Sequence, residues 1–276
     1  MLIQTDWPKT YIYWTVNETL FISIPFTWNL PEVESRFVKQ KSLFFKQIII
    51  GGPATALMPD YFKNYSFVTV GSECSNIIQM INPLATKTTT GCVRSCKFCA
   101  APRIEGRLKE LDDWPNKPIL IDNNLLASSQ PHFDKVIDRL KKWEWADFNQ
   151  GLDSRLLTNY HAKKLSEIKK PIIRLALDNV AYRDDWEIAF SRLRSAGITL
   201  NSIRSYALCG FDSDPAEAWE RCNTITDHGI KVLPQWFHEL NALDKNIVTN
   251  KQAELGWNDY ERRRIMQWFY QHKRAV

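Results

Sequence analysis

Three cysteines stand close together in the run Thr88-Thr89-Thr90-Gly91-Cys92-Val93-Arg94-Ser95-Cys96-Lys97-Phe98-Cys99. Gaps of three and two residues bring three thiols to one point on a short loop. An odd number of clustered thiols cannot all pair as disulfides, so the spacing points to a metal or an iron–sulfur cluster. A four-iron cubane held by three thiolates keeps one iron open to an outside ligand, and an open coordination position separates a catalytic metal site from a closed structural one. A structural zinc site is the alternative. It would need a fourth ligand, and the nearest histidine, His132, lies far along the chain. The remaining cysteines, Cys74, Cys209 and Cys222, are scattered in apolar patterns and read as small buried hydrophobes.

A loop of this kind must be mounted on something rigid, and from about residue 85 the sequence alternates strand and helix. Candidate strands are Lys87–Thr90, Pro118–Asp122, Phe148–Gly151, Ile172–Leu177, Ser205–Gly210 and Lys231–Trp236. Their starts recur at the spacing of a strand, a crossover helix and two loops. Phe133, Val136, Ile137 and Leu140 form one helical apolar stripe, and Trp186, Phe190 and Leu193 another that ends at Gly197. Asp214-Pro215-Ala216-Glu217 offers a cap, a first-turn proline and an acidic third residue before a helix that stops at Gly229. Six such units predict an α/β fold, a parallel barrel or part of one, with right-handed crossovers.

Polar residues gather where these strands end. The first strand leads to the cysteine loop and the second to Asp122-Asn123-Asn124. The third leads to Asn149-Gln150-Gly151-Leu152-Asp153-Ser154-Arg155. The fourth, starting at Arg174, ends in Asp178-Asn179, the fifth in Cys209-Gly210-Phe211-Asp212, and the sixth leads to Gln235-Trp236-Phe237-His238-Glu239. Barrel enzymes place their chemistry on this carboxyl-end face. Any one of these acids reads equally as a helix cap, Asp178 and Asp212 included; five polar ends in succession on the rim of a cysteine loop favour a site.

The spacing C-x3-C-x2-C, with aromatic Phe98 just before the last cysteine, resembles the signature of the radical S-adenosylmethionine (radical SAM) enzymes, and the resemblance covers about residues 85 to 240. It implies a partial (β/α)6 TIM-like barrel and a [4Fe–4S] cluster on Cys92, Cys96 and Cys99. The open iron of that cluster would chelate the amino and carboxylate groups of S-adenosylmethionine. Reductive cleavage then gives a 5′-deoxyadenosyl radical that abstracts hydrogen from a substrate that the sequence does not identify. Carried over position by position, Phe98 lies against the adenine. Asp122-Asn123-Asn124 takes the place of a Gly-Gly-Glu-type motif, from which it departs. Asp178 resembles the ribose-hydroxyl acceptor and Gly210 the glycine that lets adenine approach, and Arg155 or Arg174 would neutralise the methionine carboxylate. The resemblance also implies an electron donor such as a flavodoxin or ferredoxin.

Residues 1–84 differ from the rest. Leu20–Ile24 and Gln47–Ile50 read as buried strands, Gly51-Gly52-Pro53 follows the second, and Thr69-Val70-Gly71-Ser72-Glu73 would be a last strand and turn. The segment resembles a reduced, Rossmann-like version of the N-terminal domain of cobalamin-binding radical SAM proteins; the Gly-Gly-Pro run reads equally as a tight turn joining strand to helix. Methylthiotransferases are a rival resemblance through Phe98-Cys99-Ala100-Ala101-Pro102, but only Cys74 precedes the motif, and their second cysteine triplet is absent. Cobalamin is not expected. Its domains commonly offer cobalt a histidine, whereas His132, His161, His228, His238 and His272 all follow the cysteine loop. The division expected is thus 1–84, 85–240 for the barrel, and a basic helical extension over 241–276.

Composition agrees with an enzyme. Among 276 residues, 44% are apolar and 24% charged, ordinary for a globular chain able to bury a full core. Met1 to Val16 lacks the basic-then-apolar order of a signal peptide, no apolar run is long enough for a membrane span, and unpaired thiols suit a reducing, cytoplasmic setting. The net charge of +5 permits an anionic partner without requiring one. From Gly256 the tail reads as a helix with Ile265, Trp268 and Phe269 on one face and Arg262, Arg263, Arg264, Lys273 and Arg274 beside or after it. A solvated basic face is the plain reading; contact with a nucleic acid or nucleotide, helped by 11 tryptophans, is the sharper one. The competing class is therefore a non-catalytic iron–sulfur or zinc protein that binds nucleic acid. A binding module, however, has no need of a row of polar strand ends.

Overall fold

The computed structural model describes residues 7–40, 44–71 and 76–271. Cys74, Ser72, Glu73, His272, Lys273 and Arg274 lie outside the described residues. The chain divides into two compact units. One comprises Met1–Leu84, Lys97–Ile104 and His238–Lys245; the other comprises Ala85–Cys96, Glu105–Phe237 and Asn246–Val276.

The first unit is built on a four-stranded sheet. Strand β1 (Ile12–Val16) pairs antiparallel with β2 (Thr19–Ser23) across a turn at Asn17, whose φ of 53° is the left-handed value asparagine tolerates. β2 then runs parallel to β3 (Gln47–Gly51), and β3 to β4 (Val68–Val70). Alternation along β2 and β3 sends Leu20, Ile22, Ile48 and Ile50 to one face. Together with Leu30 and Val33 of helix α1 (Leu30–Val33) and with Phe37, they are buried in a core of their own. The Gly-Gly-Pro run is a structural connection. Ile24 N donates to Gly51 O (2.9 Å), Ala54 N donates to Ile24 O (3.0 Å), and Pro53 opens helix α2 (Pro53–Leu57). Helices α3 (Ile77–Ile81) and α4 (Ala101–Ile104) complete this unit.

The second unit carries six parallel strands in the spatial order β5-β8-β9-β10-β11-β12. They are β5 (Ala85–Thr86), β8 (Ile119–Leu120), β9 (Ala146–Phe148), β10 (Pro171–Ala176), β11 (Ile203–Cys209) and β12 (Lys231–Trp236). A separate ribbon joins β6 (Thr89–Thr90) to β7 (Lys109–Glu110). Each strand of the large sheet neighbours the next in sequence, as expected of a singly wound α/β sheet. Among the described residues, the outer strands β5 and β12 do not pair with one another, so the sheet is open there rather than a closed barrel.

The crossover helices form where the apolar stripes place them. In α5 (Gln130–Leu140) Ser129 is the cap, and Phe133, Val136, Ile137 and Leu140 are buried. Helix α6 (Asn159–Ser166) buries Ala162 and Leu165, and α7 (Arg183–Ser195) buries Trp186, Ala189 and Leu193. α8 (Pro215–Asp227) begins with the expected box: Asp214 accepts from Glu217 N (2.8 Å), and Glu217 accepts from Asp214 N (3.2 Å). After the short α9 (Asn250–Glu254) comes α10 (Asp259–Gln271), whose Ile265 and Phe269 join the same core. Tyr270 Oη donates to the carbonyl of Pro234 (3.3 Å), on the outermost strand β12. A proline there has no N–H to leave unpaired, which suits an edge strand.

Candidate metal centre

The cysteine loop leaves the second unit's sheet under tight control, and three carboxylates supply it. Asp122, at the end of β8, takes four donors on Oδ1: the backbone N–H of Thr88 (2.7 Å) and of Thr89, and the hydroxyls of both (3.0 and 2.8 Å). Burial pushes the Asp122 carboxyl above its ordinary pKa, opposed by those four donors. Glu105 accepts from Gly91 N (2.8 Å) and Asn123 Nδ2 (2.8 Å), and Lys87 Nζ donates to its other oxygen. Gly91 sits at φ 71°, and a Cβ there would lie 2.2 Å from the carbonyl oxygen of Arg107. Only glycine fits that approach. Cys92 N then donates to Gly106 O (3.2 Å).

Asp153, just past β9, is the third carboxylate. Its side chain is 8% exposed and takes Arg94 Nε on Oδ2 (3.0 Å), Arg155 Nε on Oδ1 (2.7 Å), Arg155 Nη2 on Oδ2 (3.2 Å) and Asn124 Nδ2 on Oδ2 (3.3 Å). These guanidiniums hold its carboxyl below the ordinary carboxylate range although burial opposes them. Arg94 lies in the cysteine loop itself, and its backbone N–H donates to Cys92 Sγ (3.3 Å). Asn124 Nδ2 also faces that sulfur at 3.8 Å, while its Oδ1 is buried without a hydrogen-bond partner. Burial raises the Cys96 thiol pKa, and Arg155 pulls it the other way.

Of the other residues singled out in the sequence, Asp178 lies two residues past β10, half-buried, where it accepts from Leu208 N (3.1 Å); desolvation raises its carboxyl pKa. Gly210 follows β11, and a Cβ there would come within 2.6 Å of the Trp236 ring. Arg174 is buried in a two-point pair with Asp147, Nη2 to Oδ2 at 2.9 Å, which uses the fork that a free carboxylate would need. Phe98 and Cys99 are half-buried and belong to the stretch Lys97–Ile104 of the first unit. Among the described residues, no three metal-ligating side chains are gathered as a ready cage. The sequence pointed to no role for Arg94, Glu105 or Asp147, and it placed Asp153 at a strand end without a partner. Asp153 carried one signal, since it stands at a strand end and caps the turn Ser154–Leu156.

No protein-family model matches the chain, and no curated protein does. Among solved structures it is similar to the radical S-adenosylmethionine methyltransferase TsrM from Kitasatospora setae, determined with tryptophan substrate and a SAM analogue bound. The TM-score is 0.59 at 9% identity, over 82% of this chain and 63% of that one. The likeness is one of fold, and this chain spans less than two thirds of the length of its neighbour. The fold is therefore a mixed α/β one with a parallel sheet, shared with a radical SAM enzyme. Among the described residues, no helix is long and apolar enough to cross a membrane.

Proposed function

We propose that the protein is a radical SAM enzyme, with Cys92, Cys96 and Cys99 holding a [4Fe–4S] cluster and the six-stranded sheet acting as a partial barrel. One observation carries the reading: a C-x3-C-x2-C loop anchored by three separate carboxylates on the carboxyl-end rim of a parallel sheet. A fold neighbour of radical SAM type supports it. A cluster of this kind, when bound, delivers one electron that cleaves S-adenosylmethionine and starts hydrogen abstraction from substrate.

The residues present fit that pair of cofactors. Three thiols match the cluster's donor set. The buried, unpartnered Oδ1 of Asn124 suits a cationic amino group, since an unmet buried acceptor costs about 1–3 kcal/mol. Asp178, half-buried with a single backbone donor, is assigned to a ribose hydroxyl, for which it has acceptor capacity left. Both arginines contact an aspartate, Arg155 with Asp153 and Arg174 with Asp147; Arg155 is preferred for the carboxylate because its side chain is 26% exposed and that of Arg174 only 8%. The Asp122-Asn123-Asn124 segment divides its work: Asp122 and Asn123 hold the loop, leaving Asn124 to meet ligand. Gly210 is required first by Trp236. Residues 1–84 are proposed as a reduced α/β unit that works without cobalamin, and an electron donor of the flavodoxin or ferredoxin kind completes the scheme.

The test is anaerobic reconstitution with iron and sulfide. The wild type should retain close to four irons, and Cys92→Ala, Cys96→Ala and Cys99→Ala should each lose them, while Cys209→Ala keeps them. Reduction with S-adenosylmethionine should release 5′-deoxyadenosine. Stoichiometric zinc with no iron retained would overturn the proposal and favour the nucleic-acid-binding alternative. Near-stoichiometric corrin retained after incubation with hydroxocobalamin would overturn the cobalamin-free part and bring methyl transfer forward.

A further inference from the structure

Arg94 is the charged residue between Cys92 and Cys96, and it is half-buried rather than free in solvent: its side chain is 35% exposed and its Nε is fixed on Asp153. Arg155, paired with the same carboxylate, interacts with Cys96, and its guanidinium lies over the Tyr182 ring at 4.6 Å. Two cations thus flank the thiol-bearing loop, and one carboxylate, largely withdrawn from water, lies between them. Charges in such surroundings are weakly screened. Hydrogen bonds to the sulfurs, net charge and solvent exposure are the levers by which a protein sets the potential of an iron–sulfur centre.

We infer that Asp153 is a positioning residue for the iron–sulfur centre: it docks the cysteine loop through Arg94 and offsets the Arg94 and Arg155 charges, keeping the centre's reduction potential low. The inference rests on the radical SAM reading above. Asp153 touches no thiol itself. It acts through Arg94, through Arg155, and through Asn124, whose amide spans Asp153 and Cys92 Sγ. With Asp153 present, the three charges sum to a single positive one. Removing the carboxylate leaves two positive charges beside a centre that gains an electron on reduction, so reduction becomes easier. Removing Arg94 has the opposite sign.

The experiment is an EPR-monitored redox titration of the anaerobically reconstituted full chain, comparing wild type with Asp153→Asn, Asp153→Glu and Arg94→Gln. The potential should rise in Asp153→Asn, fall in Arg94→Gln, and return toward the wild-type value in Asp153→Glu. A residue that only braces the loop would shift both neutral variants in the same direction, because both cut the same tether. Shifts of one sign, or none, in cluster-loaded variants overturn the inference. Should Asp153→Asn fail to retain iron, Arg94→Gln is compared with Arg94→Lys, which keeps the charge but loses the guanidinium contact to Asp153: a lower potential in Arg94→Gln with Arg94→Lys near wild type supports the inference, and equal shifts in the two, or none, sink it. A wild type that binds no cluster refutes the radical SAM reading instead, and the inference with it.

Discussion

Asp178 is a carboxylate placed where it is uncomfortable. It is half-buried, accepts a single backbone hydrogen bond, and has its pKa raised chiefly by desolvation. A group whose folded pKa exceeds its unfolded one favours the folded state below the unfolded value and burdens it at higher pH, once the unfolded chain has ionised. Asp178→Asn should therefore raise the melting temperature of the cofactor-free protein at pH 7, the gain shrinking as pH falls through the ordinary carboxylate range near about 4. The same variant should weaken binding of S-adenosylmethionine by roughly 1–2 kcal/mol, the loss of a charge-assisted hydrogen bond. A variant no more stable than wild type at pH 7 would show that Asp178 is settled in its site. Unchanged affinity would remove it from the ligand-contacting set. Arg174 shows the limit of reading single residues: its partner Asp147 lies 27 positions earlier on the neighbouring strand, a pairing that appears only once β9 and β10 are set side by side.

At the scale of elements, the stem of the cysteine loop is the place where local geometry is most constrained. Gly91→Ala meets two obstacles, a left-handed φ of 71° and a backbone oxygen 2.2 Å from the new Cβ; Gly106→Ala at φ 75° meets the first alone, with nothing within 4 Å. The conformational cost is about 1–3 kcal/mol at either position. Chemical denaturation should therefore show Gly106→Ala mildly destabilised and Gly91→Ala more so, with iron retention lost only in the latter. Equal losses would mean that the close approach to Arg107 relaxes freely. The loop's neighbourhood also shows what the sequence made legible. The strand expected at Lys87–Thr90 is misplaced: the sheet strand β5 is Ala85–Thr86, just before it, and only Thr89–Thr90 of the expected span is extended, in the separate ribbon, because Asp122 takes the backbone N–H groups of Thr88 and Thr89. The strand expected at Lys231–Trp236 is found with those limits, and that at Ile172–Leu177 shifts by one residue, since short, mostly apolar runs at regular spacing announce buried parallel strands. The strand expected at Phe148–Gly151 lies earlier, at Ala146–Phe148, sharing only Phe148, where pairing with β8 and β10 sets the limits. Strand β1 was missed, although Tyr11 to Val16 followed by Asn17 carries a hairpin signal. Asp122 was legible as a strand-end acid, but the role of Asp153 was hidden for the reason Asp147 was: it lies 59 positions from Arg94, and no local pattern announces a partner at that distance.

Across the whole molecule, the C-terminal helix decides between an enzyme and a nucleic-acid binder. Its apolar side belongs to the second unit's core, with Ile265 fully buried and Phe269 against Trp219, centroids 5.2 Å apart. Ile265→Ala should cost about 2–5 kcal/mol in a denaturation midpoint, as for any large buried aliphatic cut to alanine. Its polar side was the feature that raised the nucleic-acid alternative. There Asp259 takes both Arg262 (3.2 Å) and Arg263 (3.6 Å), and Glu261 takes Arg264 (3.4 Å). Arg264 also lies over the Trp219 ring at 5.0 Å. Three arginines facing two carboxylates of the same helix leave little net charge for a phosphate backbone. Exposed pairs of this sort contribute about 0–1 kcal/mol each. Arg263→Glu combined with Arg264→Glu should accordingly leave stability within about 1 kcal/mol of wild type. Binding to single-stranded RNA should be weak in both forms and depend little on salt. A protein that uses this face for nucleic acid behaves otherwise, because each phosphate neutralised releases counterions and steepens the salt dependence. Tight wild-type binding that falls sharply between low and moderate salt, and vanishes in the double variant, would move the helix from structural element to recognition surface and reopen the binding-module reading.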